Sequence, residues 1–237
     1  MKNILFTAIF GLLLVSCGDK KSVTNLHLTG NIKGLQKGTL YIQKVLDTSW
    51  VAIETIIIDG DSHFETNLDI KTPEMYFLYL DRGVSNSLDN RIQFFAEPGE
   101  INIETTLDNY SYNAKVTGTK NNQILAEHRL IIEKFSNDNL DLTSLRFKAL
   151  KENNTAKIDS IDKKQEANTI KRYLYTVNFA LNHRDCEAAP YVALTEIFDV
   201  NLKYLDTIQK SLTPEIAKSL YGKKLSTLIN NRKQTEL

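Results

Sequence analysis

The chain has 237 residues, of which 42% are hydrophobic, and its 29 basic side chains balance its 29 acidic ones. This balance gives no net-charge argument for nucleic-acid binding, and the sequence contains no Lys/Arg stripe with interleaved aromatic residues. The length is sufficient for a substantial core, in one large domain or two small ones.

The N-terminal residues predict export. Lys2 precedes an apolar run over residues 4–15. This run is shorter than the ~20 residues of a membrane span, but it is typical of a cleaved signal peptide. The next feature is Leu-Val-Ser-Cys at residues 14–17, which resembles the lipobox of bacterial lipoproteins. In that family the cysteine thiol receives a diacylglycerol, the signal is removed before the cysteine, and the new amino group is acylated.

The resemblance implies a signal peptide at residues 1–16, a lipid on Cys17, and an anchor and linker at residues 17–24. The alternative is an ordinary secretory signal with an incidental cysteine. The small Ser16 and the abrupt switch to Gly-Asp-Lys-Lys after the cysteine favour the lipoprotein. Three acyl chains, at ~0.8 kcal/mol per buried methylene, suffice for stable anchoring. We therefore expect a protein of the cell envelope, anchored in the outer membrane and facing the periplasm, with exposure at the cell surface left open.

Residues 25–118 have a period-two pattern interrupted by turn residues, which predicts strands. Asp59-Gly60 favours a tight hairpin turn, and Pro98-Gly99 favours a turn that needs φ > 0 at the glycine. Seven or eight short strands joined in this way predict an antiparallel β-sandwich. The clearest runs are SHFETNL, with Phe64, Thr66 and Leu68 on one face, and EINIETTL, with Ile101, Ile103, Thr105 and Leu107 on one face.

Residues 119–237 change to a period of 3.6, which predicts a helical domain. Thr213-Pro214-Glu215 has the features of a helix start, and the polar stretch at residues 137–168 predicts exposed helix with a loop near Asn153-Asn154. The fold class expected for the chain is α+β, an N-terminal antiparallel β-sandwich followed by a C-terminal helical region. The apolar stripes that predict helices are Ile124, Leu125, His128, Ile131, Ile132 and Phe135; Ile170, Tyr173, Leu174, Val177 and Leu181; and Tyr191, Leu194, Ile197 and Phe198.

Three segments of the β-region resemble a domain of unknown function found in bacterial lipoproteins. They are TIIIDGDSHFETN, FFAEPGEINIE and KVTGTKNNQ, which match that domain's hairpin, its Pro-Gly turn and its closing "v-x-G-s-x-x-N". In that family the domain commonly precedes helices and then a thioredoxin-like domain of the thiol–disulfide oxidoreductase type. The sequence ends at Leu237 and has no C-x-x-C, so we expect the thioredoxin-like domain to be missing.

Few residues of the sequence suggest a catalytic site. Once Cys17 is lipidated, Cys186 is the one remaining thiol, and neighbouring His183 and Arg184 can lower its pKa while Asp185 and Glu187 raise it. We interpret it as a structural cysteine that is at least partly buried, with a reactive thiol as the alternative.

Two further groups of residues have both a structural and a functional interpretation. Asp59, Asp61, His63 and Glu65 alternate like metal ligands, but a solvated turn and strand explain them as well. Aromatic residues of the β-region are expected in the sandwich core rather than in a ligand platform; they are Tyr76, Phe77, Tyr79, Phe94 and Phe95.

Three functions remain open. The first is a lipid-anchored, non-catalytic binding or scaffolding protein of the envelope. The second is an accessory to envelope thiol–disulfide exchange, with an oxidoreductase as its partner. The third is a hydrolase with an unrecognised site. We expect no catalytic or metal-binding residues, no cofactor and no nucleic-acid partner, and membrane contact through Cys17.

Overall fold

The computed structural model describes residues 24–83 and 87–235. The predicted signal peptide and Cys17 lie outside the described residues. The strands are β1 (Leu26–Lys33), β2 (Lys37–Leu46), β3 (Ser49–Asp59), β4 (His63–Leu68), β5 (Glu74–Asp81), β6 (Arg91–Ala96), β7 (Gly99–Thr106) and β8 (Lys115–Thr117), with a short 3-10 helix at Leu88–Asn90. The helices are α1 (Lys120–Lys151), α2 (Thr155–Asn182), α3 (Ala188–Glu196), α4 (Leu202–Ser211), α5 (Pro214–Lys218) and α6 (Leu220–Thr235).

The eight strands form two four-stranded sheets, in the orders β4-β1-β7-β8 and β3-β2-β5-β6. We call them sheet A and sheet B. Alternate residues of both sheets meet in one apolar core, for example Leu28 and Ile103 from sheet A with Leu40 and Phe94 from sheet B. The predicted α+β fold, with β-sheets first and helices after, is confirmed.

One strand pair departs from the predicted antiparallel arrangement, because β1 pairs with β7 in parallel. The cause is the turn at Pro98-Gly99, which carries the chain from β6 in sheet B to β7 in sheet A. Strand β7 therefore starts at the end of the sandwich where β1 also starts, with Gly99 opposite Leu26.

The prediction of a hairpin at Asp59-Gly60 is wrong in its strand pairing. Strand β3 pairs with β2 and strand β4 pairs with β1, so the turn crosses from sheet B to sheet A. Gly60 has a φ of 92°, as a tight turn requires. Ile58 before the turn and Phe64 after it are both buried in the core between the two sheets. Because the chain changes sheet at this turn, both strands direct these side chains into that core.

Helices α1 and α2 form a long antiparallel hairpin whose loop lies where the sequence predicts it. Asn153 adopts a φ of 50°, and the side chain of Asn154 accepts a hydrogen bond from the N–H of Lys157 as the cap of α2. The predicted start of α5 is also confirmed, because Thr213 accepts a hydrogen bond from the N–H of Ile216.

Two of the predicted apolar stripes are partly wrong. Ile170 and Leu174 on α2 are exposed, and the buried face of this helix instead includes Thr176, Phe179 and Ala180. Thr176 enters that face because its hydroxyl meets His128 of α1, 3.1 Å away. The third stripe fails at its last position, since α3 ends at Glu196 and leaves Phe198 exposed; this residue is 53% accessible.

The helical domain packs on the outer face of sheet B. Met75 of β5 and Phe95 of β6 are buried in the helical core and not in the sandwich core. The phenolic oxygen of Tyr221 on α6 accepts a hydrogen bond from the backbone N–H of Met75, at 2.8 Å. The amide side chain of Asn122 on α1 accepts from the N–H of Phe95 and donates to its C=O, both at 2.8 Å. Side chains of the helices thus form hydrogen bonds with strand backbone groups that have no partner within the sheet.

A buried polar chain continues this junction. The carboxylate of Glu97 accepts hydrogen bonds from the backbone N–H and the side-chain amide of Asn121, at 2.9 and 2.6 Å. The oxygen of that amide accepts from the N–H of Ala188 at the start of α3, at 2.9 Å. Because all three residues are buried, these contacts hold the sandwich, α1 and α3 as one body.

Gly99→Val tests the crossing turn at Pro98-Gly99. Gly99 has a φ of 131°, and a β-carbon there would lie 3.2 Å from the Cγ2 of Thr119. We expect the free energy of unfolding to fall by roughly 1 kcal/mol or more, since a β-branched residue resists this backbone conformation. Urea denaturation measures the change. The matched control is Glu100→Val, one residue later on an exposed strand position, where a change as large as that of Gly99→Val would contradict the explanation.

Candidate functional site

Cys186 lies in a site that keeps its thiol protonated. The side chain is 3% exposed, and its S–H donates a hydrogen bond to the backbone C=O of His183, 2.9 Å away. Burial is the main cause that raises the pKa of Cys186 to about 11, and the charge of Asp185 adds to it. The predicted burial is confirmed. The charge of Lys120, which pairs with Asp185 at 2.6 Å, lowers the pKa of Cys186 by less than burial raises it.

His128 is a second buried titratable group, and it also stays neutral. Its Nε2 lies 3.1 Å from the Oγ1 of Thr176, and its ring stacks on that of Tyr175 and contacts the tilted ring of Phe179. Burial lowers the pKa of His128 to about 4. A histidine of this kind favours folding above its ordinary pKa and loses that contribution as the pH falls toward 4. Its place is structural.

The alternating acids and histidine near Asp59 have separate partners. Asp61 and His63 pair with each other at 2.8 Å, while Asp59 pairs with Lys37 and Glu65 lies toward His27. Within residues 24–83 and 87–235, no group of three or more His, Cys, Asp or Glu side chains is arranged to hold a metal ion. In the same part of the chain, no helix has the length and apolar character needed to cross a membrane.

The aromatic residues of the β-region separate into three groups. Tyr76 and Phe94 lie in the sandwich core, as predicted, and Phe95 lies in the helical core. Phe77 and Tyr79 point to the outer face of sheet B, so the prediction of a place in the sandwich core is wrong for these two residues and for Phe95. There the guanidinium of Arg91 lies 4.5 Å from the ring of Tyr79 and 4.3 Å from that of Trp50, and the Trp50 ring meets Phe77 edge-on at 4.7 Å.

A groove between α1 and the strand edges of β6 and β8 is the best candidate for binding. Two adjoining cavities of about 240 and 260 Å³ form it, and both are lined by Gln93, Ala114, Val116 and Arg129. Leu130 and Glu133 of α1 extend its wall. We call it the β6 groove.

The free edge of β6 supplies backbone hydrogen-bonding groups to the β6 groove. Phe95 directs its N–H and C=O away from β5, to Asn122. Alternate residues of an antiparallel strand direct these groups to the same side, so Gln93 presents its own N–H and C=O to the groove. An unpaired strand edge of this kind can accept an added strand from an extended peptide.

Arg129 places a positive charge beside that edge. Its Nη2 donates to the side-chain oxygen of Gln93 at 2.7 Å, which orients the guanidinium along the groove. Among the ion pairs found in the described residues, none joins Arg129 to a carboxylate. A guanidinium can bind a carboxylate through two hydrogen bonds. The β6 groove thus combines backbone groups for an extended chain with a charge for an acidic group.

Sequence reasoning missed the residues of this groove. Arg129 lies on α1 beside the predicted apolar stripe, where a charged residue indicates only a solvated face. Asn122 did carry a signal, because it is the final asparagine of the motif "v-x-G-s-x-x-N" in KVTGTKNNQ. The structure gives its physical reason, since this side chain completes the edge of β6.

Comparison with known proteins identifies the β-region. Residues 26–125 match a domain of unknown function (DUF4369). The match spans the sandwich and the first residues of α1, where Asn122 lies, and it bears out the expected N-terminal domain of unknown function. No curated protein matches the chain.

A solved structure of transthyretin from Sparus aurata is similar over 41% of this chain and 99% of that one, with 17% sequence identity and a TM-score of 0.29. At this TM-score the likeness carries no argument about fold or function.

The environment of Cys186 predicts a thiol that reacts slowly with reagents and takes part in no catalytic turnover. In the Cys17→Ser protein, where Cys186 is the single thiol, we expect slow reaction with a coloured disulfide reagent in the native state and fast reaction after denaturation. A pKa of about 11 instead of 9.0 lowers the thiolate fraction by about 100-fold at neutral pH. Insulin-reductase and thiol-oxidase assays should remain at background in this protein and in Cys186→Ser. Turnover that disappears with Cys186→Ser would show that the thiol is catalytic.

Proposed function

We propose that this chain is a lipid-anchored, non-catalytic protein of the bacterial envelope, and that it acts as a binding or scaffolding module. Its anchor is the lipid on Cys17, and its binding surface is the β6 groove. The partner is another envelope protein that offers an extended segment with a carboxylate.

The single observation that supports this proposal is the combination of Gln93 and Arg129. Gln93 offers an unpaired backbone N–H and C=O, and Arg129 is held next to them by the 2.7 Å hydrogen bond to the Gln93 side chain. Backbone hydrogen bonds provide affinity for any extended chain, whereas side-chain contacts select among chains. The apolar walls at Ala114, Val116 and Leu130 suit a segment with alternating small apolar residues.

The environments of Cys186 and His128, the two groups that could support catalysis, favour a binding role over a catalytic one. Cys186 is buried as a thiol, and His128 is buried as a neutral imidazole. A nucleophile needs a base within hydrogen-bond reach, and the S–H of Cys186 bonds to a backbone C=O instead.

A role as an accessory to thiol–disulfide exchange is the second candidate. The match of residues 26–125 to DUF4369 supports it, because the lipoprotein domain that this region resembles commonly precedes a thioredoxin-like domain. In this version the partner in the β6 groove is an envelope oxidoreductase, and the chain contributes binding without redox chemistry.

Cys17→Ser tests the anchor. We expect the variant to be soluble or to remain as the uncut precursor, because the lipid is the membrane attachment that we propose. Inhibition of lipoprotein signal peptidase should likewise leave the precursor uncut. Fractionation of cells followed by mass spectrometry of the N-terminus measures both effects. A processed Cys17→Ser protein that still sediments with membranes would refute the lipid anchor.

Photo-crosslinking from the β6 groove tests the binding surface. A photoreactive residue at Leu130, which lines the groove, should capture a discrete partner in intact cells, whereas the same residue at Leu140 should not. Leu140 is a matched control because it is exposed on the same helix, at 66% against 60% for Leu130. Capture of an envelope oxidoreductase at Leu130 would favour the second candidate.

Arg129→Gln provides the charge test in the same experiment. We expect it to reduce capture roughly tenfold or more, since a hydrogen bond to a charged group contributes about 1.5–3 kcal/mol. Arg146→Gln removes an exposed arginine on the distal part of α1, where the side chain pairs with Asp162, and should leave capture unchanged. Equal capture from Leu130 and Leu140, or no effect of Arg129→Gln, would refute the groove as the binding surface.

A further inference from the structure

The open part of the β6 edge in the β6 groove is very short. The N–H and C=O of Phe95 are both paired with the side chain of Asn122, at 2.8 Å each. The N–H of Arg91 bonds to the C=O of Leu88 in the turn before the strand. Residues 91, 93 and 95 direct their backbone groups to the same side of β6. Of these three described positions, Gln93 alone therefore keeps both its N–H and its C=O open to an added chain.

The end of the groove at Phe95 is closed. Phe95 and Asn122 are buried, and the amide of Asn122 occupies the place where an added strand would pair with Phe95. Helix α1 runs beside β6 in the opposite direction, since Asn122 contacts Phe95 and Arg129 contacts Gln93. Glu133, which is exposed, lies about 16 Å beyond Asn122 along the helix axis. A chain that enters at Glu133 therefore reaches Gln93 and must stop or bend away before Phe95.

The charges that line the groove favour a carboxylate at the inner end of such a chain. Arg129 lies at Gln93, and Lys115 of β8 lines the same cavity. Arg91 lines the adjoining cavity. Among the described residues that line the two cavities, Glu133 is the one carboxylate. A terminal ammonium group would be repelled by these cations, whereas a terminal carboxylate can bind the guanidinium of Arg129 through two hydrogen bonds.

We propose that the β6 groove binds the free C-terminus of a partner protein, with the terminal carboxylate on Arg129 and the adjacent backbone paired with Gln93. This inference rests on the proposed use of the β6 groove as a binding surface, and it specifies which part of the partner is bound. The bound chain enters at Glu133, ends before Asn122 and runs in the same direction as β6. Strand addition and capture of a C-terminal carboxylate are both recurring modes of peptide recognition.

A chain end fits this site better than an internal segment. Positions 91 to 95 of β6 span about 13 Å, which is the length of about four extended residues. Within this length Gln93 offers one N–H and one C=O, so a long segment gains no more backbone hydrogen bonds than a short one. A long segment must also bend at the closed end. A chain end avoids that bend and adds a carboxylate next to Arg129.

Matched peptide pools test this inference. The full protein, purified in a mild detergent, is immobilised and exposed to two pools of random hexapeptides, one with free C-terminal carboxylates and one with C-terminal amides. Mass spectrometry identifies the peptides that the protein retains. We expect the free acids to be retained about tenfold or more over the amides, because amidation removes the charge that Arg129 binds.

Derivatives of the best free-acid peptide locate the bound end. One derivative is amidated at the C-terminus, one is extended there by two alanines, and one is acetylated at the N-terminus. Fluorescence anisotropy measures their Kd values. We expect the first two changes to weaken binding about tenfold or more. Acetylation should leave binding unchanged, because the N-terminus of the peptide lies outside the groove.

Arg129→Gln assigns the carboxylate to its partner. It should weaken binding of the free-acid peptide about tenfold or more and leave binding of the amide unchanged, because the amide has no carboxylate. A general disturbance of the groove would weaken both peptides equally. Arg146→Gln is the matched control on the distal part of α1, where the side chain pairs with Asp162, and it should affect neither peptide.

The outcomes separate this inference from the proposed binding surface. Equal binding of the free-acid and amide peptides, with both weakened by Arg129→Gln, would keep the β6 groove as a binding surface and refute the C-terminus as its occupant. Undiminished binding of the extended peptide would also refute the C-terminus. If neither pool contains a peptide that binds, this inference is refuted, and photo-crosslinking from Leu130 still decides whether the groove binds another part of a partner.

Discussion

The structure depends on how the ends of two strands in sheet B obtain their backbone hydrogen bonds. The first residues of β5 precede the point where its pairing with β2 begins, and β6 is an edge strand. Met75 and Phe95 therefore have backbone groups that no neighbouring strand pairs with. Each group left unpaired in the interior would cost about 1–3 kcal/mol. Tyr221 and Asn122 satisfy these groups at 2.8 Å, and the side chains of Met75 and Phe95 enter the helical core. The helices therefore complete the sheet as well as cover it.

The same arrangement explains why the β6 groove remains open. The side chain of Asn122 pairs with both backbone groups of Phe95 and also donates to the Oγ1 of Thr119, so it does not pair with Gln93, two residues earlier on β6. The edge at Gln93 stays unpaired while α1 passes beside it and brings Arg129 within hydrogen-bond distance. One helix thus closes part of the strand edge and lines the rest.

Burial also decides what the titratable groups can do. Cys186, His128 and Glu187 lie in or next to the helical core, and burial shifts the pKa of each toward its neutral form. Glu187 keeps a hydrogen bond from the hydroxyl of Ser219 at 2.6 Å, which partly opposes that shift. The protonated thiol of Cys186 is a poor nucleophile at neutral pH, because the thiolate is the reactive form.

The sequence by itself determined the α+β order, the positive φ at Gly99, the loop at Asn153-Asn154 and the burial of Cys186, because each follows from local periodicity or from the conformational preference of single residues. Only the tertiary structure decided that the turn at Asp59-Gly60 crosses between sheets, that β1 and β7 are parallel, and that Ile170 and Leu174 face solvent. It also brought Gln93 to Arg129. These features are contacts between residues far apart in the chain, and no local pattern specifies which faces of two strands or helices meet.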